Sequence, residues 1–492
     1  MKRFLQTLVL FTAALALLYL PIHPIDYFFS RPHGDHTWAQ CDRTSLALNY
    51  FQFHYSLFAP HTHNLAYNPT GIAAGEFPLI PFLVSKLYKC FGFHEYLFRI
   101  FTLAFSLLGF VVAFMIAKRQ LKSLSSQLTV SFVWLLSPNL IFYSTGFLPD
   151  TVALTFFILA FYFLQREENS SNKNLFAFSV LSSVAVLLKS SVLFLVATVF
   201  VSLLIPAYKK KQLKIVLVQL LWLLLPFLTC ILWLFFARQS QQVYHSNIFK
   251  LSATSPQSFA LAIGYCYTML QNLPKVYPLP ILILILCSLV LLLRNFKATE
   301  FFHMFTLTAF IMWLTFFGLM MRNACYHGYY HLPFQFSVFA IFVSVFKIAE
   351  ENKWGTKAAP IYAGLTFLLA FIFYANTLGK ISSATDFINK DWYSLENTLR
   401  NAGIKTSDRV FSANDASYNI SLYCMNQRGW NCPSKVWDSY KIEALKNCDY
   451  AVLTDTSYLH ESAIEKYFGK EITQYGSLHI YPIKSSFPSL QK

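Results

Sequence analysis

Residues 96–117 read YLFRIFTLAFSLLGFVVAFMIA and are followed at once by Lys118 and Arg119. The run contains a single charged residue, Arg99, close to its start. A helix of this length spans a hydrocarbon core of about 30 Å. It also pairs its own backbone N–H and C=O groups, which lipid cannot do. The basic residues that close the run mark a cytoplasmic end by the positive-inside rule.

The same pattern recurs along the chain. Apolar runs are expected at about 4–20, 96–117, 128–146, 151–164, 175–188, 192–205, 215–237, 278–293, 301–321, 332–346 and 358–378. The composition agrees, with 55% hydrophobic residues, 51 Phe among 492 residues and only 13% charged. The fold class predicted is an all-α polytopic membrane protein with about eleven transmembrane helices. A formal net charge of +16 is of the sign that nucleic acid attracts, but the basic residues cluster in short segments between apolar runs. No basic, aromatic-interleaved groove motif accompanies them, so nucleic acid is excluded as a partner. The nine cysteines are not paired as CxxC, which argues against zinc ribbons and redox motifs.

With Lys2 and Arg3 inside, the stretch between the first two spans falls outside the cytoplasm. This outer loop, residues 21–95, concentrates titratable groups and aromatics, and is the candidate catalytic segment of a membrane domain covering 1–379. From 380 to 492 the composition turns polar, and RVFSAND (409–415), DYAVLTD (449–455) and SLHIYPIK (477–484) read as short buried strands. A small C-terminal extracytoplasmic α/β domain is expected there. Cys424, Cys432 and Cys448 lie in it, on an oxidising side where one disulfide is plausible.

Ionisable residues in spans are costly, so their positions are informative. Arg99, Asp150, Lys189 and Arg322 all fall at the outer ends of their spans, and none at mid-membrane. A secondary transporter more usually places binding groups near the midplane. A transporter or flippase of lipid-linked sugars is therefore the runner-up reading, and a non-enzymatic assembly factor a third.

Asp35 is the candidate catalytic acid, because a carboxylate within reach can accept a hydroxyl proton. Its alternative role is to cap the helix that starts near His36. Glu76 is a second acid, a metal ligand, a hydrogen-bond acceptor or a helix-start carboxylate. Asp150 either orients a substrate or holds its turn. His36, His54, His61 and His63 suit a divalent metal or are interfacial polar residues. Arg99, Lys189, Arg322 and His331 offer positive charge to a phosphate leaving group, or anchor spans at head groups. Tyr326, Tyr329 and Tyr330 add hydroxyls and ring faces beside Arg322, as interfacial aromatic belts also do.

The order of these segments resembles the GT-C membrane glycosyltransferases. It runs from the acid of the first loop through EFPLIPFLVSKLYKCFGFHEYLFR (76–99), SPNLIFYSTGFLPD (137–150) and VAVLLKS (184–190) to HGYYHLPFQF (327–336). More narrowly it is similar to the bacterial family-39-like group, related to protein O-mannosyltransferases and the aminoarabinose transferase of lipid A. The resemblance covers about residues 1–350. It implies an inverting enzyme of the bacterial inner membrane that takes a sugar from a polyprenyl-phosphate donor. The acceptor would be a glycolipid such as lipopolysaccharide, a polysaccharide or a protein. It further implies Asp35 as general base, Glu76 and Asp150 as acids around the site, and Lys189 and Arg322 facing the lipid phosphate. Many relatives have Asp-Glu where this chain has Asp35-His36, and no cofactor is fixed by the motifs beyond a possible divalent metal. No GxxxxGK[ST] loop is present, in keeping with a donor that arrives already activated.

Overall fold

The computed structural model describes residues 28–65, 69–134, 137–165, 172–209, 213–246, 249, 255–297, 300–352, 379, 389–413, 415–432, 438–460 and 464–484. The expected first and eleventh spans lie outside them. The chain divides into two compact units, one made of 1–30, 98–235 and 251–383, the other of 31–97, 236–250 and 384–492.

The first unit is helical. Among the described residues of the chain, four helices are long and apolar enough to cross a membrane: Glu95–Gln120, Leu221–Val243, Phe301–Leu319 and Gly328–Glu351. The pair Phe259–Pro274 and Leu279–Arg294, bent by 107°, makes a fifth if counted as one broken span. Leu124–Val133, Asp150–Leu164, Lys173–Leu188 and Ser190–Ile205 are apolar but shorter. The polytopic helical class therefore stands, while several expected spans are shorter than a full crossing. Leu221, Leu228, Ile231, Leu232 and Phe235 are each more than half exposed along one helix, as lipid-facing residues would be.

Two expectations need correction. The third span, expected as continuous from 128 to 146, is broken into Leu124–Val133 and Pro138–Ser144. Pro138 lacks an N–H to continue a helix, and Ser137 caps the new one by accepting from the Leu140 N–H at 3.3 Å. Gln335 Nε2 donates to the Trp134 carbonyl at 3.1 Å, so the break leaves that group paired. The segment left between the expected runs 215–237 and 278–293 contains the helix Phe259–Val276, which starts on the Ser258 cap. Its apolar run FALAIGYCYTML carries the signal, but polar residues on both sides obscured it.

Close helix contacts in this unit follow small residues and back-bonded hydroxyls. Thr155 Oγ1 donates to the Phe105 carbonyl at 3.0 Å, and a Cβ at Gly109 would come within 2.8 Å of that oxygen. Phe161 sits among Phe157, Phe301, Phe302, Phe305 and Phe336 at ring separations of 4.7 to 6.3 Å.

The second unit is mixed. Its five-stranded sheet has the order β2-β1-β3-β5-β4, with β1 Arg409–Ala413, β2 Arg428–Cys432, β3 Tyr450–Leu453, β4 Thr473–Tyr475 and β5 Leu478–Pro482. β1 pairs in parallel with β2 and β3, and β5 runs antiparallel to β3 and β4. β1, β3 and β5 are the three strands expected from sequence. The first outer loop joins this sheet: Leu65 N–H donates to the Gly429 carbonyl at 2.7 Å, and Gly429 N–H to the His63 carbonyl at 3.0 Å. Loop residues Cys41, Leu48 and Leu65 are buried in the same clusters as the sheet.

At Gly429 the β2 backbone lies so close to β1 that an added Cβ would collide with the Val410 carbonyl. Gly429→Val is expected to force β2 and the loop apart, lowering the melting temperature and exposing the segment after residue 384 to protease. A variant with wild-type melting and digestion would contradict this packing.

Candidate functional site

In the helical unit the residues 137–150, 184–190 and 327–336 meet. Asp150 lies in the first turn of Asp150–Leu164, where the helix N-terminus favours negative charge. Lys189 follows the helix Asn172–Leu188 and places Nζ 3.0 Å from Asp150 Oδ1. Both side chains are almost wholly buried, 5% and 1% exposed. The ammonium also lies over the Tyr329 ring at 4.8 Å and the Tyr330 ring at 4.9 Å. Tyr329 is stacked against His327 and met edge-on by Tyr143, which fixes its face towards the lysine. This tyrosine pair comes from a 3-10 segment, Gly328–Phe334, not a regular span.

Arg99 does a different job in the same unit. It is fully buried, donates from Nη1 to the Thr145 carbonyl at 2.8 Å, and lies over the Phe147 ring at 4.4 Å. Thr102 Oγ1 donates to the Gly146 carbonyl at 2.9 Å. One helix thus pins the turn that leads into Asp150. His331 accepts from Trp313 Nε1 at 3.4 Å on Nδ1 and donates from Nε2 to the Ala324 carbonyl at 2.9 Å. Those two bonds make it a neutral brace between the 3-10 segment and the short helix Met321–Tyr326. Arg322 lies on that short helix and is exposed.

Asp35 and Glu76 belong to the mixed unit. The helix Thr37–Phe53 has His36 at its N-cap in the left-handed region, φ 58°, and the His36 side chain makes no capping bond. Asp35 sits one residue before that cap. Two turns further along, Arg43 bonds Glu76 Oε2 from Nη2 at 2.5 Å, with its guanidinium over Phe249 at 5.0 Å. Glu76 is thereby fixed as a paired carboxylate on the loop. Sequence reasoning missed Arg43, although only it and Asp42 are charged within that helix.

The loop histidines are structural. Ser45 Oγ and His63 Nδ1 are 2.7 Å apart, while His61 Nδ1 donates to the Ala59 carbonyl at 2.7 Å and its ring stacks on Tyr55. Burial lowers His61 to about 4 and His63 to about 3, so both are neutral at physiological pH. Among the described residues no group of three or more His, Cys, Asp or Glu is placed to hold a metal. Of the four histidines that suited either a metal or an interface, His61 and His63 are spent on local bonds and stacking, and His54 is exposed.

Comparisons with known proteins bear on this arrangement. Residues 74–233 match a family model described as dolichyl-phosphate-mannose-protein mannosyltransferase. No curated protein matches the chain by sequence. Among solved structures, ArnT from Cupriavidus metallidurans bound to undecaprenyl phosphate is similar with a TM-score of 0.60 at 13% identity, covering 97% of this chain and 98% of that one. The fold is that of the GT-C membrane glycosyltransferases. The Archaeoglobus fulgidus oligosaccharyltransferase AglB, in complex with an inhibitory peptide and a dolichol-phosphate, is similar with a TM-score of 0.55 at 13% identity, over 99% of this chain and 75% of that one. The mycobacterial arabinofuranosyltransferase AftD gives 0.52 at 14% identity, over 98% and 40%. The chain is thus a multi-pass membrane protein of GT-C fold.

Two outcomes follow. Lys189→Met leaves the Asp150 charge buried without its counter-ion and is expected to cost about 3–5 kcal/mol. Adding Asp150→Asn should recover most of that loss, so single and double variants that melt together would argue against the pair. Burial pushes the Asp42 carboxyl up to about 7 from 3.8, against the pull of Arg43. Between those values the folded state holds more protons than the unfolded one, so this residue makes stability fall as pH rises from about 4 to about 7. Asp42→Asn is expected to raise the melting temperature more at pH 8 than at pH 4. An equal gain at both would show that Asp42 does not titrate in this way.

Proposed function

We propose that this protein moves a sugar from a polyprenyl-phosphate donor to a glycolipid, polysaccharide or protein acceptor at the outer face of a bacterial inner membrane. The observation that carries the proposal is the buried Lys189 cation, set between Asp150 and two tyrosine faces. It occurs in a fold whose solved examples include proteins holding undecaprenyl phosphate and dolichol-phosphate. The matched family description, a dolichyl-phosphate-mannose-protein mannosyltransferase, adds support for a lipid-phosphate donor.

The reaction is a single displacement with inversion. The acceptor oxygen forms a bond to the anomeric carbon as the bond from that carbon to the phosphate oxygen breaks. Asp35 takes the acceptor proton as general base. Negative charge grows on the departing lipid phosphate, and Lys189 and the exposed Arg322 supply the positive charge that lowers this barrier. Asp150 holds Lys189, Arg99 holds the turn before Asp150, and Tyr329, Tyr330 and His331 hold the ring faces around the ammonium. Glu76, fixed by Arg43, is a hydrogen-bond acceptor for substrate hydroxyls.

Asp35→Asn should keep the fold and the affinity for donor while kcat falls by about 10²–10⁴-fold, the usual worth of a positioned base. Donor binding by calorimetry and turnover by release of lipid phosphate separate the two effects. Unchanged turnover would remove Asp35 from the reaction.

A further inference from the structure

Two cysteines from distant parts of the chain share one buried cluster. Cys41 lies on the loop helix Thr37–Phe53 and Cys424 on the helix Ile420–Met425, and both are 0% exposed. Both thiols are free in this structure, and the two helices that carry them pack against each other. Leu48, Leu395, Ile420, Leu422 and Tyr423 are in the same apolar cluster.

The surroundings hold this meeting point from several directions. Arg31 Nη1 donates to the Cys424 carbonyl at 2.7 Å, and Arg31 lies 3.7 Å from carboxylates of both Glu95 and Glu396. The neighbouring Tyr423 hydroxyl donates to Glu95, and Gln52 Nε2 donates to Asn426 Oδ1 at 3.1 Å. Apart from the Arg31–Glu95 contact, each of these joins the first outer loop to the C-terminal segment. The other two cysteines of that segment, Cys432 and Cys448, lie in a separate cluster.

We propose that Cys41 and Cys424 form a disulfide that staples the first outer loop to the C-terminal sheet domain. The proposal rests on the outer-face placement under Proposed function, since that side is the oxidising one. It is a pairing that the sequence, with three cysteines in the C-terminal segment, did not point to. Two S–H bonds break and one S–S bond forms, with the two electrons and two protons passing to the disulfide of a protein thiol-disulfide oxidant, which leaves as a dithiol.

Burial raises the Cys41 thiol well above its ordinary pKa, and a protonated thiol is a poor nucleophile. The bond therefore closes during folding, before the cluster packs, and the packed cluster then shields it from reductants. Closing so long a loop removes much unfolded-state freedom. It also fixes the position of the helix that begins just after Asp35, so the staple is a positioning device for the proposed base.

The test uses the full chain extracted from membranes in the presence of an alkylating agent, denatured without reductant and digested. Mass spectrometry should find a Cys41–Cys424 peptide pair, two hydrogens lighter than the dithiol and alkylated only after reduction. Both thiols alkylated before reduction would overturn the staple. A Ser407→Cys reporter on an exposed turn of the same unit checks the side of the membrane. Its labelling in intact cells by a membrane-impermeant maleimide supports the outer placement, and alkylated Cys41 and Cys424 in that same sample then defeat the staple alone. A reporter that labels only after permeabilisation overturns the placement, and the staple with it.

Discussion

A buried ion pair sets the terms for the helical unit. Lys189 and Asp150 are 3.0 Å apart and nearly inaccessible, so either charge alone would be strongly unfavourable. What surrounds them serves to keep them together: a helix N-terminus under Asp150, two tyrosine faces against Lys189, and a buried arginine that fixes the turn between helices. The tyrosines need a 3-10 segment rather than a regular helix, and that segment needs the His331 brace. The interruptions in this unit are thus part of how it holds charge at the end of a span.

The mixed unit depends on a different constraint. The first outer loop does not keep its apolar side chains to a core of its own. It uses the C-terminal sheet instead, sharing Cys41, Leu48 and Leu65 with the sheet's clusters and adding backbone hydrogen bonds at Gly429. Residues far apart in sequence are therefore one folding problem, and Asp35 and Glu76 are positioned by that shared core and by Arg43.

Much of this was legible in the sequence. The helical class, the strands β1, β3 and β5, and the segments that bring Asp150, Lys189, Tyr329 and Tyr330 together all rest on local signals: apolar length, alternation, and charges at span ends. What was not legible depends on contacts between distant residues. Nothing near Glu76 announces Arg43, and nothing near Cys424 announces Cys41. β2, RGWNC, lacks the alternation of a strand and is one because it lies between β1 and the loop. The break at Pro138 had a local signal, but it was outweighed by the apolar residues on either side. The helix Phe259–Val276 was lost for the opposite reason, polar flanks around an apolar run.

The central claim is sugar transfer from a lipid phosphate. It is tested most directly by incubating the purified wild-type protein in lipid nanodiscs with a panel of polyprenyl-phosphate sugars and candidate acceptors, and following free polyprenyl phosphate over time. The account predicts that one donor is consumed, with one lipid phosphate released for each sugar that appears on the acceptor. Donors that cross the bilayer while remaining intact, with no lipid phosphate released, would contradict it and point to transport instead.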